Sequence, residues 1–482
     1  MKVALLDFPA CRITNEPSLK EVMANFGVFP SLSLLYPAAV IERLGHEVLY
    51  LDMVAMELTQ SQITEKLKAF APDILGMTVY TSHFHWAKEW MEYLKGILPD
   101  TKFMVGGVHS TQFPEETAKY LPFVDYVVVG EAEVVLPPLL GALSRGDGPS
   151  GVKGVVYKDP EKGVVFTGMP GVVEDMDSVP FPARHLVPNH KYYNFISRRK
   201  SYTVFNSSRG CPFRCVFCEA AGQKWRARSA KNVVDEMEDC YERFNIREFD
   251  FFDSSFTINK KRVHEVCEEI ISRGLHKKII WNVRSRVDTI NEDMLVALKD
   301  AGCYRIFYGV ESANPEILKK LRKSADISQM EKIITLTDKI GISTFGYFLV
   351  GCPGETEEAA RESLDMALRL PLDFIIFNRL TSFPGTELYN KYYLGMGMKD
   401  FWSEYLAMEK PPDYHLGRPW TELSEERLQE ISMEFMMRFY FRPKQIYRAV
   451  KNVRSLEQFV RYSKAGVSMI QGYVSRRLGA NG

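Results

Sequence analysis

From its start the chain alternates short apolar runs with amphipathic stretches. The runs KVALL, HEVLYLD, PDILGMTVY, KFMVGG and FVDYVVVG are almost continuously apolar, as strands buried on both faces are. Between them SLSLLYPAAVIERLG, TQSQITEKLKAFA, HWAKEWMEYLKGIL and AEVVLPPLLGALSRG carry helical spacing. This alternation predicts an α/β fold, with a doubly wound, Rossmann-like sheet over residues 1–145. The Gly- and Pro-rich passage from GDGPSGVKG to DSVPFPARHLVP predicts a linker over 146–200, with a small hairpin around GVVYKDPEKGVVF.

A second alternation starts at YTVFNSSRG and continues through EFDFFD, KIIWNVRS, YRIFYGVES, GISTFGYFLVG and DFIIFNRL, with helical stretches such as AKNVVDEMEDCYERFN between them. Six strand-and-helix units predict a partial (β/α)6 parallel barrel over 201–390, whose working residues stand at the C-terminal ends of its strands. Residues 391–482 read as a helical, aromatic and basic region. Between Arg438 and Gly482 stand ten Lys or Arg and a single acid, Glu457. Such a segment fits either an amphipathic helix drawn to an anionic membrane surface or a helical cap with solvated cations.

At 482 residues the chain is too long for one hydrophobic core. Its formal net charge of zero gives no reason to expect a nucleic-acid partner. No segment approaches twenty uninterrupted apolar residues, and Asp7 interrupts the opening MKVALLDFPACRI, so the expected location is the cytoplasm, with the basic segment able to reach the inner membrane surface. In that reducing compartment clustered cysteines are metal ligands or catalytic groups before they are disulfides.

Three of the eight cysteines, Cys211, Cys215 and Cys218, fall together in NSSRGCPFRCVFCEA, on the loop after the first strand of the second set. Thiolates spaced C-x3-C-x2-C can ligate three irons of a [4Fe-4S] cube and leave the fourth iron open for reaction. A structural zinc site would want a fourth soft ligand nearby; the next cysteine, Cys240, falls inside a predicted helix. Cys11, Cys240, Cys267, Cys303 and Cys352 stand singly and are expected as small buried hydrophobes. One cluster per chain is therefore expected.

CPFRCVFC resembles the signature of the radical S-adenosylmethionine superfamily. The resemblance implies that Cys211, Cys215 and Cys218 hold a [4Fe-4S] cluster, that S-adenosylmethionine chelates the open iron, and that the backbone at Phe217 lies against the adenine. FFDSSF stands at the second-strand position and implicates Asp253 and Ser254 at the methionine amino group. Arg286 in NVRSRVD would pair with a carboxylate through its bidentate donors; an ordinary ion pair is the other reading. YGVES resembles the fourth-strand motif, with Glu311 on ribose hydroxyls and Ser312 beside it, and GYFLVGCPGET resembles the fifth, where Gly351 admits close backbone approach. Glu311 and Ser312 would equally suit a helix start at SANPEILKKL.

The first alternation resembles the cobalamin-binding domain that precedes the radical core in one branch of this superfamily. GMTVYTS, VGGVHST and VVVGEAE carry this likeness, which implies cobalamin contacts from Thr81, Ser82, Gly106, Gly107, His109, Gly130 and Glu131. The D-x-H-x-x-G ligand motif is replaced by DFPACRITNEP, so no histidine is expected on cobalt. The resemblance implies a C-methyltransferase that uses a 5'-deoxyadenosyl radical on a small hydrophobic, lipid- or tetrapyrrole-like substrate, with an electron donor such as flavodoxin or ferredoxin. A cyclase, rearranging or carbon-coupling enzyme of the same branch needs the same site. A non-catalytic iron-sulfur electron carrier or sensor is the rival from another class. No side chain is assigned as acid, base or nucleophile.

Overall fold

The computed structural model of the chain describes residues 1–8, 27–408, 416–453 and 455–479. It divides into two compact units. The first is built on Val28–Tyr192, with the N-terminal strand and a return segment beginning at Phe401. Its elements are β1 (Lys2–Asp7), α1 (Leu32–Arg43), β2 (Glu47–Asp52), α2 (Gln60–Phe70), β3 (Ile74–Thr78), α3 (Phe84–Ile97), β4 (Lys102–Gly106), β5 (Tyr126–Val128), α4 (Ala132–Ser144), β6 (Val155–Asp159) and β7 (Gly163–Phe166). Among the described residues they form a seven-stranded sheet in the order β2-β1-β3-β4-β5-β6-β7.

The first five strands run parallel, and the chain leaves β1 for β2 on one side and β3 on the other. That reversal makes the crevice where doubly wound sheets bind ligands. The stretch expected as a linker instead continues the sheet, with β6 and β7 added antiparallel at the edge. The hairpin expected around GVVYKDPEKGVVF is present: its Val155 and Val156 are fully buried, and its turn is fixed by Asp159 Oδ1 accepting from the Glu161 and Lys162 amides. The return helix, Phe401–Ala407, buries Trp402, Tyr405 and Leu406 within this unit.

The second unit holds β8 (Tyr202–Phe205), β9 (Ser208–Cys211), β10 (Gln223–Ala227), α5 (Ala230–Phe244), β11 (Glu248–Phe251), α6 (Lys260–Ser272), β12 (Ile280–Ser285), α7 (Glu292–Asp300), β13 (Cys303–Glu311), α8 (Pro315–Lys320), α9 (Ile327–Ile340), β14 (Ser343–Val350), α10 (Glu357–Arg369) and β15 (Phe374–Arg379). Then come α11 (Glu425–Tyr440), α12 (Pro443–Asn452) and α13 (Leu456–Gly479). Six strands form an all-parallel open sheet in the order β8-β11-β12-β13-β14-β15, the expected partial barrel.

Side-chain caps start the crossover helices: Ser229 accepts from the Asn232 amide, Asn259 from Arg262, and Thr356 from Ala359. The core joins Phe249, Phe251, Trp281, Val283 and Ile306 of the strands to Val233, Met237, Val263 and Leu295 of the helices. Burial of each large side chain contributes roughly 1.5–3 kcal/mol. Leu428, Ile431 and Phe435 of α11, spaced on one helical face, complete that core, with Phe435 edge-on to Phe377 at 5.1 Å. Part of the C-terminal region is thus integral to the barrel.

Candidate functional site

Because all six strands are parallel, their C-terminal ends share one edge, and the second unit's expected site residues lie along it. The loop between β8 and β10 carries the three thiols. Gly210 adopts φ +80°, at a register shift between Arg209 and Cys211, and a Cβ there would run into the Lys224 carbonyl. Only glycine fits that turn. Cys211 is buried, Cys215 and Cys218 half-buried. The loop is held at Val216, whose amide donates to the Leu321 carbonyl (3.2 Å) and whose carbonyl accepts from the Leu388 amide (2.8 Å).

Burial raises the Cys211 and Cys218 thiols, while the Phe213 and Ala220 amides, hydrogen-bonded to the two sulfurs, oppose the rise. The sulfur of Cys215 accepts from Arg286 Nη1 at 3.4 Å. Three thiols on one short loop with N–H donors aimed at their sulfurs suit a thiolate-held cluster, whose potential such donors tune. Cys240, Cys267, Cys303 and Cys352 are buried elsewhere in this unit; Cys11 lies outside the described residues. Among the described residues no three His, Cys, Asp or Glu side chains converge as ligands of a single metal ion.

Phe217, within the loop, is half-buried. Asp253, expected at the methionine amino group, is 1% exposed. Its Oδ1 accepts from the Ser207 amide (2.7 Å), and its Oδ2 from the Ser207 (2.5 Å) and Ser208 (2.7 Å) hydroxyls. It braces the start of the cysteine loop from beneath, while Ser254 is exposed. The bidentate edge of Arg286, expected on a ligand carboxylate, is occupied by Asp288 at 2.8 and 2.5 Å, and its guanidinium lies 3.9 Å from the Phe213 ring centre. Glu311 ends β13 at φ +66° and pairs with the buried Lys323 at 2.6 Å. Ser312 accepts from the Asn314 amide at 3.1 Å, as a helix-start residue does.

Gly351 follows β14 at φ +78°; its amide donates to Glu355 Oε2 (2.6 Å) and its carbonyl accepts from Trp420 Nε1 (2.8 Å). Sequence reasoning passed over Glu355, which also accepts from the Cys352 amide at 3.1 Å. Its Oε1 is buried without a partner, and burial pushes its carboxyl up to about 7. Folded protein therefore keeps this proton where the unfolded chain, near the model-peptide value, has lost it. Between about pH 4.5 and pH 7 stability falls as pH rises, and it levels off above. Glu355→Gln preserves both accepted bonds and removes the titration. Urea unfolding at pH 5 and pH 8 is expected to show the wild type losing about 2–3 kcal/mol more than this variant over that interval.

Sequence reasoning also missed the polar filling of the barrel. Arg284 Nη1 donates to Asp250 Oδ1 and to the Phe251 carbonyl, both at 2.6 Å, and Tyr202 donates to Asp250 Oδ2 at 2.8 Å. The available signal was a polar residue at every second position of EFDF and WNVR, which marks an inward face.

In the first unit the expected residues cluster after β3, β4 and β5. Thr81 is hydrogen-bonded to His109 Nδ1 at 3.1 Å, and Ser82 to His83 Nδ1 at 3.3 Å. His109 is fully buried with Nε2 lacking a partner, its pKa lowered to about 3 by burial, so it is neutral and packed between Phe84 and Phe113. Gly107, at φ +105°, has no room for a Cβ beside Thr78. Gly130, at φ +79°, packs on Pro170, and Glu131 Oε2 accepts from the Val173 amide at 2.7 Å. An apolar slot opens between sheet and helices, lined by Leu5, Met77, Gly106, Val128, Leu136 and Leu140. Gly106 and Gly130, which end β4 and follow β5, line this slot next to the strand ends where doubly wound sheets bind ligands. At the ends of β1 and β2 stands a group the sequence did not flag: Tyr50 donates to Asp7 (3.2 Å), Tyr192 donates to Asp52 (2.7 Å), and burial with the Asp52 charge raises Asp7.

Residues 23–140 match the B12 binding domain and residues 205–367 the Radical SAM superfamily. An uncharacterised methyltransferase of Pyrococcus horikoshii is 33% identical over 444 residues, covering 90% of this chain and 92% of its own. The anaerobic magnesium-protoporphyrin IX monomethyl ester cyclase of Rubrivivax gelatinosus is 30% identical over 373 residues, 76% of this chain and 66% of its own. Among solved structures, the radical S-adenosylmethionine methyltransferase TsrM of Kitasatospora setae, with cobalamin and a [4Fe-4S] cluster bound, aligns with TM-score 0.74 at 19% identity over 98% of this chain and 99% of its own. That likeness is one of fold.

Proposed function

Since the chain belongs to the cobalamin-dependent radical S-adenosylmethionine methyltransferase family, we propose that it methylates an unactivated carbon of a small hydrophobic substrate. The observation that carries this reading is the pairing, in one chain, of the three-thiol loop with the glycine-lined slot of the first unit. When bound, the cluster and S-adenosylmethionine supply a carbon-centred radical, and cobalamin supplies the methyl group. The protein supplies placement.

Cys211, Cys215 and Cys218 would hold the cluster on a loop fixed by Asp253. Arg286, anchored by Asp288, would keep an N–H donor on the Cys215 sulfur. Phe217, Glu311, Ser312 and Gly351 would contact S-adenosylmethionine, and Ser254 stands exposed at the same strand ends. In the first unit Thr81, Ser82, Gly106, Gly107, Gly130 and Glu131 would surround the corrinoid, with His109 a packed wall and not a ligand. A second reading, ring formation without methyl transfer, is favoured by the 30% identity to the magnesium-protoporphyrin IX monomethyl ester cyclase. A flavodoxin- or ferredoxin-like reductant is part of either.

Protein purified without oxygen from cells given hydroxocobalamin, then supplied with dithionite and methyl-deuterated S-adenosylmethionine, tests the proposal. Label in a solvent-extractable product supports methyl transfer; an unlabelled product of lower mass supports cyclisation. Gly106→Leu is expected to fill the slot, lowering corrinoid per chain about tenfold or more while iron per chain is unchanged. Equal loss of both would mean a folding defect and would remove the slot from the proposal.

A further inference from the structure

The last two helices are built with their polarity reversed. A helix on the surface of a water-soluble protein ordinarily turns its apolar stripe inward and its charges outward. On α12 the inward residues are polar: Arg448 donates to Asp338 Oδ1 (2.7 Å) and Asp373 Oδ1 (2.8 Å), Asn452 donates to the same Asp373 oxygen (3.2 Å), and Gln445 donates to the Asp373 carbonyl. The outward residues are Ile446, Tyr447 and Val450, which are 48%, 68% and 60% exposed. They fall at i, i+1 and i+4, on one side of the helix.

The same inversion continues along α13, where Gln458 and Ser468 are buried while Leu456, Phe459, Val467, Ile470 and Val474 are exposed. Their spacing keeps them on one stripe. Lys444, Lys451 and Lys464 are exposed among them. From residue 443 to 479 the sequence has eight Lys or Arg and one acid. The polar side of α12 is thus consumed inside the molecule, and what remains outside is a long apolar stripe among cations.

We infer that α12 and α13 form a docking face for an anionic phospholipid bilayer. Apolar side chains on such a stripe enter the boundary between headgroups and acyl chains, while neighbouring lysines meet the phosphates. No helix among the described residues is long and apolar enough to cross a membrane; the contact is a helix lying in the interface. A protein partner would have to offer acidic groups around an apolar strip of matching length, whereas an anionic bilayer offers both without shape matching. The inference does not depend on the methyl-transfer reading.

Flotation of the full-length protein with phosphatidylcholine vesicles, with and without phosphatidylglycerol, tests it. Co-flotation is expected only with the anionic vesicles and is expected to weaken as salt is raised. Lys444→Glu/Lys451→Glu is expected to lower the partition coefficient roughly twentyfold or more, and Ile446→Ser/Tyr447→Ser/Val450→Ser roughly tenfold or more, with unchanged melting temperatures because the side chains are exposed. Absence of wild-type flotation with anionic vesicles at low salt would overturn the inference. So would a sedimenting dimer that the triple variant dissolves, since a second copy would then be the occupant.

Discussion

Cys215→Ala protein is expected to lose more than about a hundredfold in S-adenosylmethionine cleavage, and most of its iron, while remaining folded. The side chain is half-buried on a loop pinned at Val216, so its removal leaves a small void and costs about 1 kcal/mol of stability. The chemical cost is of another order: outer partners of metal ligands alone carry 10–100-fold effects, and here one of the three proposed ligands is gone. Iron and sulfide per chain, 5'-deoxyadenosine yield and melting temperature, measured together, separate the two effects. Full iron content in the variant would remove Cys215 from the ligand set.

Asp253→Ala is expected to cost about 3–5 kcal/mol of folding stability, because three buried donors, the Ser207 amide and the Ser207 and Ser208 hydroxyls, lose their acceptor at once. Asp253→Asn, which keeps an acceptor and lets a hydroxyl turn, is expected to cost about 1–2 kcal/mol. Urea midpoints check both values, and iron content of the refolded variants reports whether the cysteine loop has come loose. If Asp253 served only to touch the ligand, the midpoints would stay in place and the KM for S-adenosylmethionine would rise.

The sequence made the architecture legible because parallel strands must be separated by crossovers, so their order along the chain is also the order of their C-terminal ends. Cys211, Cys215, Cys218, Glu311 and Gly351 could be placed on one edge for that reason. What those side chains face was less accessible. The turn after Phe251 sends Asp253 inward, and Asp288 reaches the guanidinium of Arg286 from only two positions away. Lys323 meets Glu311 from across α8, and Glu355 is poised near neutrality by burial that no local pattern encodes. The hairpin of β6 and β7 was readable from its turn residues, but not that it would extend the sheet of the first unit. For the C-terminal segment the sequence left a membrane-facing amphipathic helix and a solvated cap both open; which side of α12 faces outward follows from where Asp338 and Asp373 stand.

The return helix Phe401–Ala407 has a consequence for biosynthesis. It brings the buried Tyr405 to the first unit, where its carbonyl accepts from His85 Nε2 at 2.7 Å and its ring lies edge-on to that imidazole at 4.8 Å. On the ribosome, the sheet of the first unit emerges complete at Phe166, yet the piece that covers His85 follows only after the whole barrel has been translated. At 5–20 residues per second the nascent N-terminal unit waits roughly 10–50 s with that surface uncovered. A fragment ending near Tyr192 and expressed alone would stay in that state, so it should be retained by chaperones to a greater extent than the full-length chain.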